Sequence, residues 1–211
     1  MDKPEQLVRQ LLKVAGTTYA AEAGIGISDQ PMPLFQLWVL CMLASKPIDA
    51  TIAMAAAHQL FKACLRTPKA VLSSDRQTMI SAFGRAHYLR YDESSATRVT
   101  DMAEHVRDDF SGDLREIAGR SQHDAAAAKR MLKKFKGIGD TGADIYLREV
   151  QDVWPWVRPY FDDRATKAAK KLGLPAQPEK LGALAPRDNA RLAAALVRVS
   201  LDDDVRRQVS G

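Results

Sequence analysis

Cysteine and histidine are scarce here: two of the former and four of the latter in 211 residues. There is no CxxC pair, and the four clustered Cys or Cys/His ligands that zinc and iron–sulfur sites need are absent. Cys41 and Cys64 both fall in apolar helical stretches and read as two buried thiols in a reducing compartment. His58, His87, His105 and His123 are scattered, so they predict no metal site. Long apolar runs are missing too. The longest, Pro33 to Ala44, is interrupted only by Gln36 and is too short to span a bilayer. The start, Met1-Asp2-Lys3-Pro4-Glu5, lacks the charged-then-apolar layout of a signal peptide. The expectation is a soluble, cytoplasmic protein with no membrane partner. Strand-like alternation and internal repeats are also missing, which leaves an all-α fold.

What is present is an ordinary apolar share, 46%, with a formal charge of +5 and a pI near 9.2. That is enough to bury a core in one domain or two small ones, and the basic balance is compatible with a nucleic-acid partner. Helical periodicity runs through Glu5–Ala15 and Leu34–Ser45, the second apolar on nearly every side and therefore enclosed by other helices. It continues through Ala50–Cys64 behind Asp49, through the short Pro68–Leu72 behind Thr67, and through Asp75–Ala86. A long helix follows from Ser94 to Phe110, then a short one from Leu114 to Ala118. Residues 17–30 read as a loop. After Val150 comes an aromatic loop (Trp154, Trp156, Tyr160, Phe161), then a helix opened by Asp162-Asp163 and running to Leu172. Residues 176–188 read as a connection, and the last helix as Asp188–Ser200.

The stretch with most chemical content is Phe135-Lys136-Gly137-Ile138-Gly139-Asp140-Thr141-Gly142-Ala143, which joins two helical patterns. Paired glycines permit a tight turn, because they accept positive φ and admit close approach. The helix behind the turn presents unsatisfied N–H groups and its positive dipole end. Such an end suits a phosphate oxygen, and Lys136 adds charge. On its own the same stretch reads equally as a plain corner between helices.

The order of elements resembles the endonuclease III branch of the helix-hairpin-helix DNA glycosylase superfamily, over roughly Pro33 to Leu174, about two-thirds of the chain. Leu34-Phe35-Gln36-Leu37 through Ile48-Asp49 looks like that family's first buried helix and the loop after it. Thr67 to Leu72 looks like its short third helix. Phe135 to Ala143 is similar to the family hairpin, Leu-Pro-Gly-Val-Gly followed by two residues, Thr and Ala. Phe161-Asp162 stands where the family places its catalytic aspartate at a helix start. The resemblance implies a two-lobed all-α fold, with a six-helix barrel lobe over 31–157 that includes the hairpin. The second lobe is then formed by 1–30 and 158–211. It implies double-stranded DNA with a damaged or mismatched base as partner, bound across the cleft between lobes with the base rotated out of the stack. It further implies a monomer acting in base excision repair, nucleoid-associated if bacterial.

Three departures qualify that picture. Bifunctional members carry a lysine two residues after the last hairpin glycine, where this chain has Thr141, with Asp140 before it. Threonine lacks the amine that forms a Schiff base with the sugar. The four C-terminal cysteines of many members have no counterpart after Cys64, so no iron–sulfur cluster and no other cofactor is expected. The family's void-filling glutamine corresponds to Lys46. Family hairpins often hold one monovalent cation by main-chain carbonyls, and that expectation carries over to this one.

Asp162 is the catalytic candidate: a carboxylate beneath the sugar stabilises the positive charge that builds as the N-glycosidic bond breaks, or orients water. It also reads as an N-cap worth ~1 kcal/mol, and Asp163 takes the role if the register slips by one. DNA contacts are expected from Lys136, Gly137, Ile138, Gly139, Thr141 and Gly142 of the hairpin, from Lys46, and from Arg90 and Tyr91, which stand where the family inserts a loop side chain. Lys133 and Lys134, and Arg164, Lys167, Lys170 and Lys171, add salt-dependent phosphate attraction or serve as solvated faces. The resemblance thus implies a glycosylase that releases a base by hydrolysis, monofunctional or with weak lyase activity. Two other readings stay open: a DNA-binding helix-hairpin-helix protein without chemistry, and a helical protein-interaction domain.

Overall fold

Helix starts are written into this sequence as short polar side chains ahead of apolar runs. The computed structural model describes residues 3–210, so Met1, Asp2 and Gly211 lie outside the described residues. Among these, the elements in order are α1 (Lys3–Ala15), α2 (Tyr19–Glu22), α3 (Pro31–Ala44), α4 (Ala50–Lys62), α5 (Pro68–Leu72), α6 (Arg76–Arg85), α7 (Asp92–Asp109), α8 (Glu116–Arg120), α9 (Ala125–Leu132) and α10 (Asp140–Val150). A 3-10 turn at Pro155–Val157 leads to α11 (Asp163–Lys171), α12 (Pro178–Ala183), α13 (Asn189–Leu201) and α14 (Asp203–Ser210). No described residue lies in a strand, and no helix is long and apolar enough to cross a membrane. The all-α reading holds.

The caps act as their residue types dictate. Asp49 accepts from the N–H of Thr51 at 2.7 Å, Thr67 from Ala70 at 3.2 Å, Asp75 from Thr78 at 2.7 Å and Asp124 from Ala127 at 2.6 Å. Each satisfies a donor that the helix itself cannot. Asp49 and Asp75 are held below the ordinary carboxylate value of 3.8, Asp49 chiefly by the Thr51 hydroxyl and Asp75 chiefly by the Thr78 N–H.

Two compact units divide the chain: Ala20–Tyr146, and the residues up to Tyr19 together with those from Leu147 onward. In the first, α3 is buried from Pro33 to Leu43, and α4 and α7 pack against it. Trp38 sits edge-on to both Phe135 and Tyr146 at 5.2 Å, pairs worth ~0.5–1.5 kcal/mol beyond their burial. In the second, α1, α11, α13 and α14 enclose Leu11, Phe161, Leu181, Leu192 and Leu196.

These divisions differ from the expected 30/31 and 157/158. Residues 20–30 belong to the first unit, where the Ala23 carbonyl meets His58 Nδ1 at 3.4 Å. Residues 147–157 join the second, where the Gln151 amide bonds the backbone of Tyr160 in both directions, at 2.9 and 3.0 Å. Residues 17–30 also hold the single helical turn α2, and 176–188 hold α12, both too short to show a period. The acidic run after Ser200 is a helix start, with Asp202 accepting from Asp204 and Val205 at 2.8 and 3.1 Å. Cys41 is buried as expected, but Cys64 is exposed. It follows the end of α4 with φ 64°, outside the helical conformation.

Candidate functional site

The glycine corner is built from a buried anchor outward. Phe135 ends the approach from α9 and is 2% exposed, stacked on His105 at 4.0 Å and edge-on to Trp38. Ile138 donates its N–H to the Phe135 carbonyl at 3.0 Å and turns its side chain inward. Gly137 has φ +83°, a conformation that requires glycine, and a Cβ there would stand 3.0 Å from Nε of the Arg98 side chain. Gly142 is buried for another reason: a Cβ would meet Ile138 at 3.2 Å and Ser45 at 3.6 Å. Gly139 and Thr141 are exposed. Among the described residues the N–H groups of Gly139, Asp140, Thr141 and Gly142 find no backbone acceptor, while Ala143 closes the first bond of α10 onto Gly139 at 3.2 Å. The result is an open helix N-terminus of the kind that binds anions.

Charges around the corner are largely balanced within the protein. Lys133 Nζ lies 2.9 Å from Asp140, and Lys129 Nζ lies 2.6 Å from Asp144 and 3.5 Å from Asp140. Lys136, 71% exposed, reaches Asp101 at 3.4 Å, and Asp101 also holds Arg98 at 3.3 Å. Asp140 is held below its ordinary value, first by its bond to Lys133, and its negative charge stands at the open start of α10. Surface pairs of this sort are worth only ~0–1 kcal/mol, and a phosphate can take over their cations. Lys134 is exposed and without a carboxylate partner among the described residues.

Asp162 lies in the other unit. Its Oδ1 accepts from the Ala165 N–H at 2.8 Å, capping α11, and its Oδ2 accepts from Arg148 Nη1 at 2.8 Å. Both side chains are buried, at 3% exposure for Arg148 and 7% for Asp162. Arg148 also faces Glu149 at 3.9 Å and the Tyr19 ring at 5.3 Å. Burial works to lower its pKa, and Asp162, Glu149 and Tyr19 outweigh that, leaving the guanidinium above the ordinary arginine value. Arg148 Nε and Nη2 have no hydrogen-bond partner among the described residues. Asp163, one residue on, is exposed, as are Arg164, Lys167, Lys170 and Lys171, opposite the buried Ala165, Ala168 and Ala169 of α11.

Of the remaining expected residues, Lys46 is half-buried in the loop between α3 and α4, with no carboxylate partner among the described residues. Arg90 is exposed, its guanidinium 5.3 Å from the Tyr91 ring, and Tyr91 is half-buried just before α7. Trp154 is buried and stacked on Trp156 at 5.2 Å. Sequence reading missed Arg98 and Arg148. Arg98 looked like one more charge on an amphipathic helix. Arg148 did leave a signal, because Arg148-Glu149 is a charged pair between the apolar Ile145-Tyr146-Leu147 and Val150.

Comparison with known proteins gives no matching family model and no matching curated protein. The chain is similar to a solved structure described as a trapped endonuclease III–DNA covalent intermediate, an estranged-adenine complex. The two are 15% identical over 92% of this chain and 84% of that one, with a TM-score of 0.49.

Proposed function

We propose that this chain binds duplex DNA through the Gly137–Gly142 corner and releases a damaged or mismatched base by hydrolysis, with Asp162 as the carboxylate. The observation that carries the reading is the corner itself. Four N–H groups stand open at the start of α10, behind a turn whose glycine leaves room for a guanidinium. Backbone amides there hold one phosphate, and Lys134, Lys136 and Arg98 add charge around it. Asp162 supports the chemical half of the proposal: it is an ionisable carboxylate fixed at a helix start, in the position the family resemblance implies. Thr141 in place of a lysine supports hydrolysis without strand cleavage.

A second reading, DNA binding without chemistry, is favoured by one specific observation. Both Asp162 oxygens are already engaged, one by the cap and one by Arg148, whose charge offsets the negative charge that an oxocarbenium-like sugar needs.

A panel of lesion-bearing duplexes, scored for base release separately from nicking, separates the two. Hydrolytic release from at least one duplex, abolished in Asp162→Asn while DNA affinity is retained, is the expected result. Borohydride should trap little covalent adduct. Base release that persists in Asp162→Asn and in Asp163→Asn would remove these carboxylates from the chemistry. Absence of release across the panel with intact DNA binding selects the second reading.

A further inference from the structure

Gln36 stands out inside the first unit. It is the one polar side chain in the buried run of α3, 8% exposed, and it makes no side-chain hydrogen bond among the described residues. Its amide nitrogen and oxygen are not sealed from solvent, so they stay available to a ligand as donor and acceptor. It lines a cavity of about 350 Å³, within the range of small-molecule sites. The lining also takes in Met32, Pro33, Phe61, His58 and part of the Ala23–Gly26 loop. Lys62 and Arg66 stand at its rim.

Gly24 has φ +76°, and a Cβ there would stand 3.2 Å from His58 Nδ1, so the loop can follow the imidazole only as glycine. The 3.4 Å contact of His58 Nδ1 with the Ala23 carbonyl places the ring hydrogen on Nδ1, which leaves Nε2 as an acceptor in the neutral ring. Arg66 Nε donates to the Phe61 carbonyl at 2.8 Å, which fixes the guanidinium and leaves its other donors available. Lys62 and Arg66 have no carboxylate partner among the described residues, whereas Lys129, Lys133, Lys136 and Arg98 of the same unit all do. The glycine corner is elsewhere in the unit. Ser45, which lies against Gly142, is nine residues along from Gln36, roughly 13 Å at the helical rise.

We infer that this cavity is a binding site for a nucleoside monophosphate, separate from the DNA-binding corner. A planar amide offers a donor and an acceptor side by side, the complement of a base edge. Met32, Pro33 and Phe61 supply apolar surface for the base, and Lys62 with Arg66 supplies the paired cations a phosphate requires. The same chemistry is offered by a free mononucleotide or by the 5′-terminal nucleotide of a strand. This inference does not rest on the glycosylase proposal.

The test is calorimetric titration of the full chain with the four deoxynucleoside monophosphates, with inorganic phosphate and deoxyadenosine as half-ligands. Amide NMR of the Gln36 side chain follows the same titrations. At least one nucleotide should bind more tightly than either half-ligand and shift the Gln36 amide. Lys62→Ala and Arg66→Ala, both at exposed positions, should each weaken it about tenfold, the loss of a charge-assisted bond. Gln36→Met should reduce discrimination among bases while leaving attraction for phosphate. Lys134→Glu/Lys136→Glu at the corner should leave nucleotide binding unchanged. Competition by a 5′-phosphorylated dinucleotide identifies a strand end as an accepted source; failure to compete confines the site to free nucleotide. The inference is overturned if no nucleotide binds at millimolar concentration, if inorganic phosphate binds as tightly as any nucleotide, or if Lys62→Ala/Arg66→Ala binds like the parent chain.

Discussion

Replacing Arg148 by methionine tests the most consequential interaction in the second unit. Arg148 Nη1 and Asp162 Oδ2 are 2.8 Å apart, with 3% and 7% of the side chains exposed. At that distance, with an effective dielectric of 20, the gross attraction is about 6 kcal/mol. Desolvation cancels much of it, so the pair is worth little against a hydrophobic replacement of both partners, but losing one partner strands the other. Arg148→Met strands Asp162 and faces Glu149 with a thioether in place of a cation, at an expected cost of ~3–5 kcal/mol. Asp162→Asn should fall at the lower end, about 3 kcal/mol, because asparagine still caps α11 and Glu149 remains 3.9 Å from the guanidinium. With the cation gone, Asp162→Asn has no partner left to lose. The double variant should therefore cost no more than Arg148→Met alone, which makes the coupling energy about 3 kcal/mol. Urea unfolding at pH 7, followed by far-UV circular dichroism on all four proteins, measures it. Additivity within about 0.5 kcal/mol would refute the reasoning. The same numbers govern the activity test, since a loss of about 3 kcal/mol is a large part of a typical domain's stability. Base release in Asp162→Asn has to be read below its unfolding temperature.

Two further predictions follow from the charges. Asp140→Asn removes a carboxylate from the start of α10 and frees Lys133, so duplex DNA affinity should rise and the slope of log K against log salt should steepen by about one; fluorescence anisotropy between 50 and 200 mM salt reads both, and an unchanged slope would mean that Lys133 does not meet phosphate. Asp49 and Asp75 have folded pKa values below the ordinary 3.8, so each contributes stability that is present above that value and lost as pH falls through the folded one. The melting-temperature gap between the parent chain and Asp75→Asn should therefore be flat above about pH 5 and shrink as pH falls below 3.8; a gap constant down to pH 2 would contradict the charged-cap account.

Much of the fold was legible because helix starts are local. Asp49, Thr67, Asp75 and Asp124 announce their helices through side chains that reach only two or three residues along the chain. The enclosed character of α3 follows from composition alone, since a helix apolar all round can only be surrounded. The glycine corner was legible for the same reason. What was not legible involves partners far apart in sequence or elements shorter than a helical period. α2 and α12 are too short to set a pattern, and Cys64 escapes burial by one left-handed residue.

At the candidate site the sequence by itself determined the corner: two glycines, an open helix start with Thr141 in its first turn, and a carboxylate opening α11. Only tertiary structure decided what those groups face. It tied Lys133 to Asp140, brought Arg98 over Gly137 from 39 positions away, and closed Arg148 onto Asp162 across 14. It also set Gln36, which makes no side-chain hydrogen bond among the described residues, in one cavity lining with Lys62 and Arg66. The physical reason is the range of the forces. Backbone preference and capping act within a few residues, whereas the net charge on a side chain depends on which distant residues burial brings within a few ångströms.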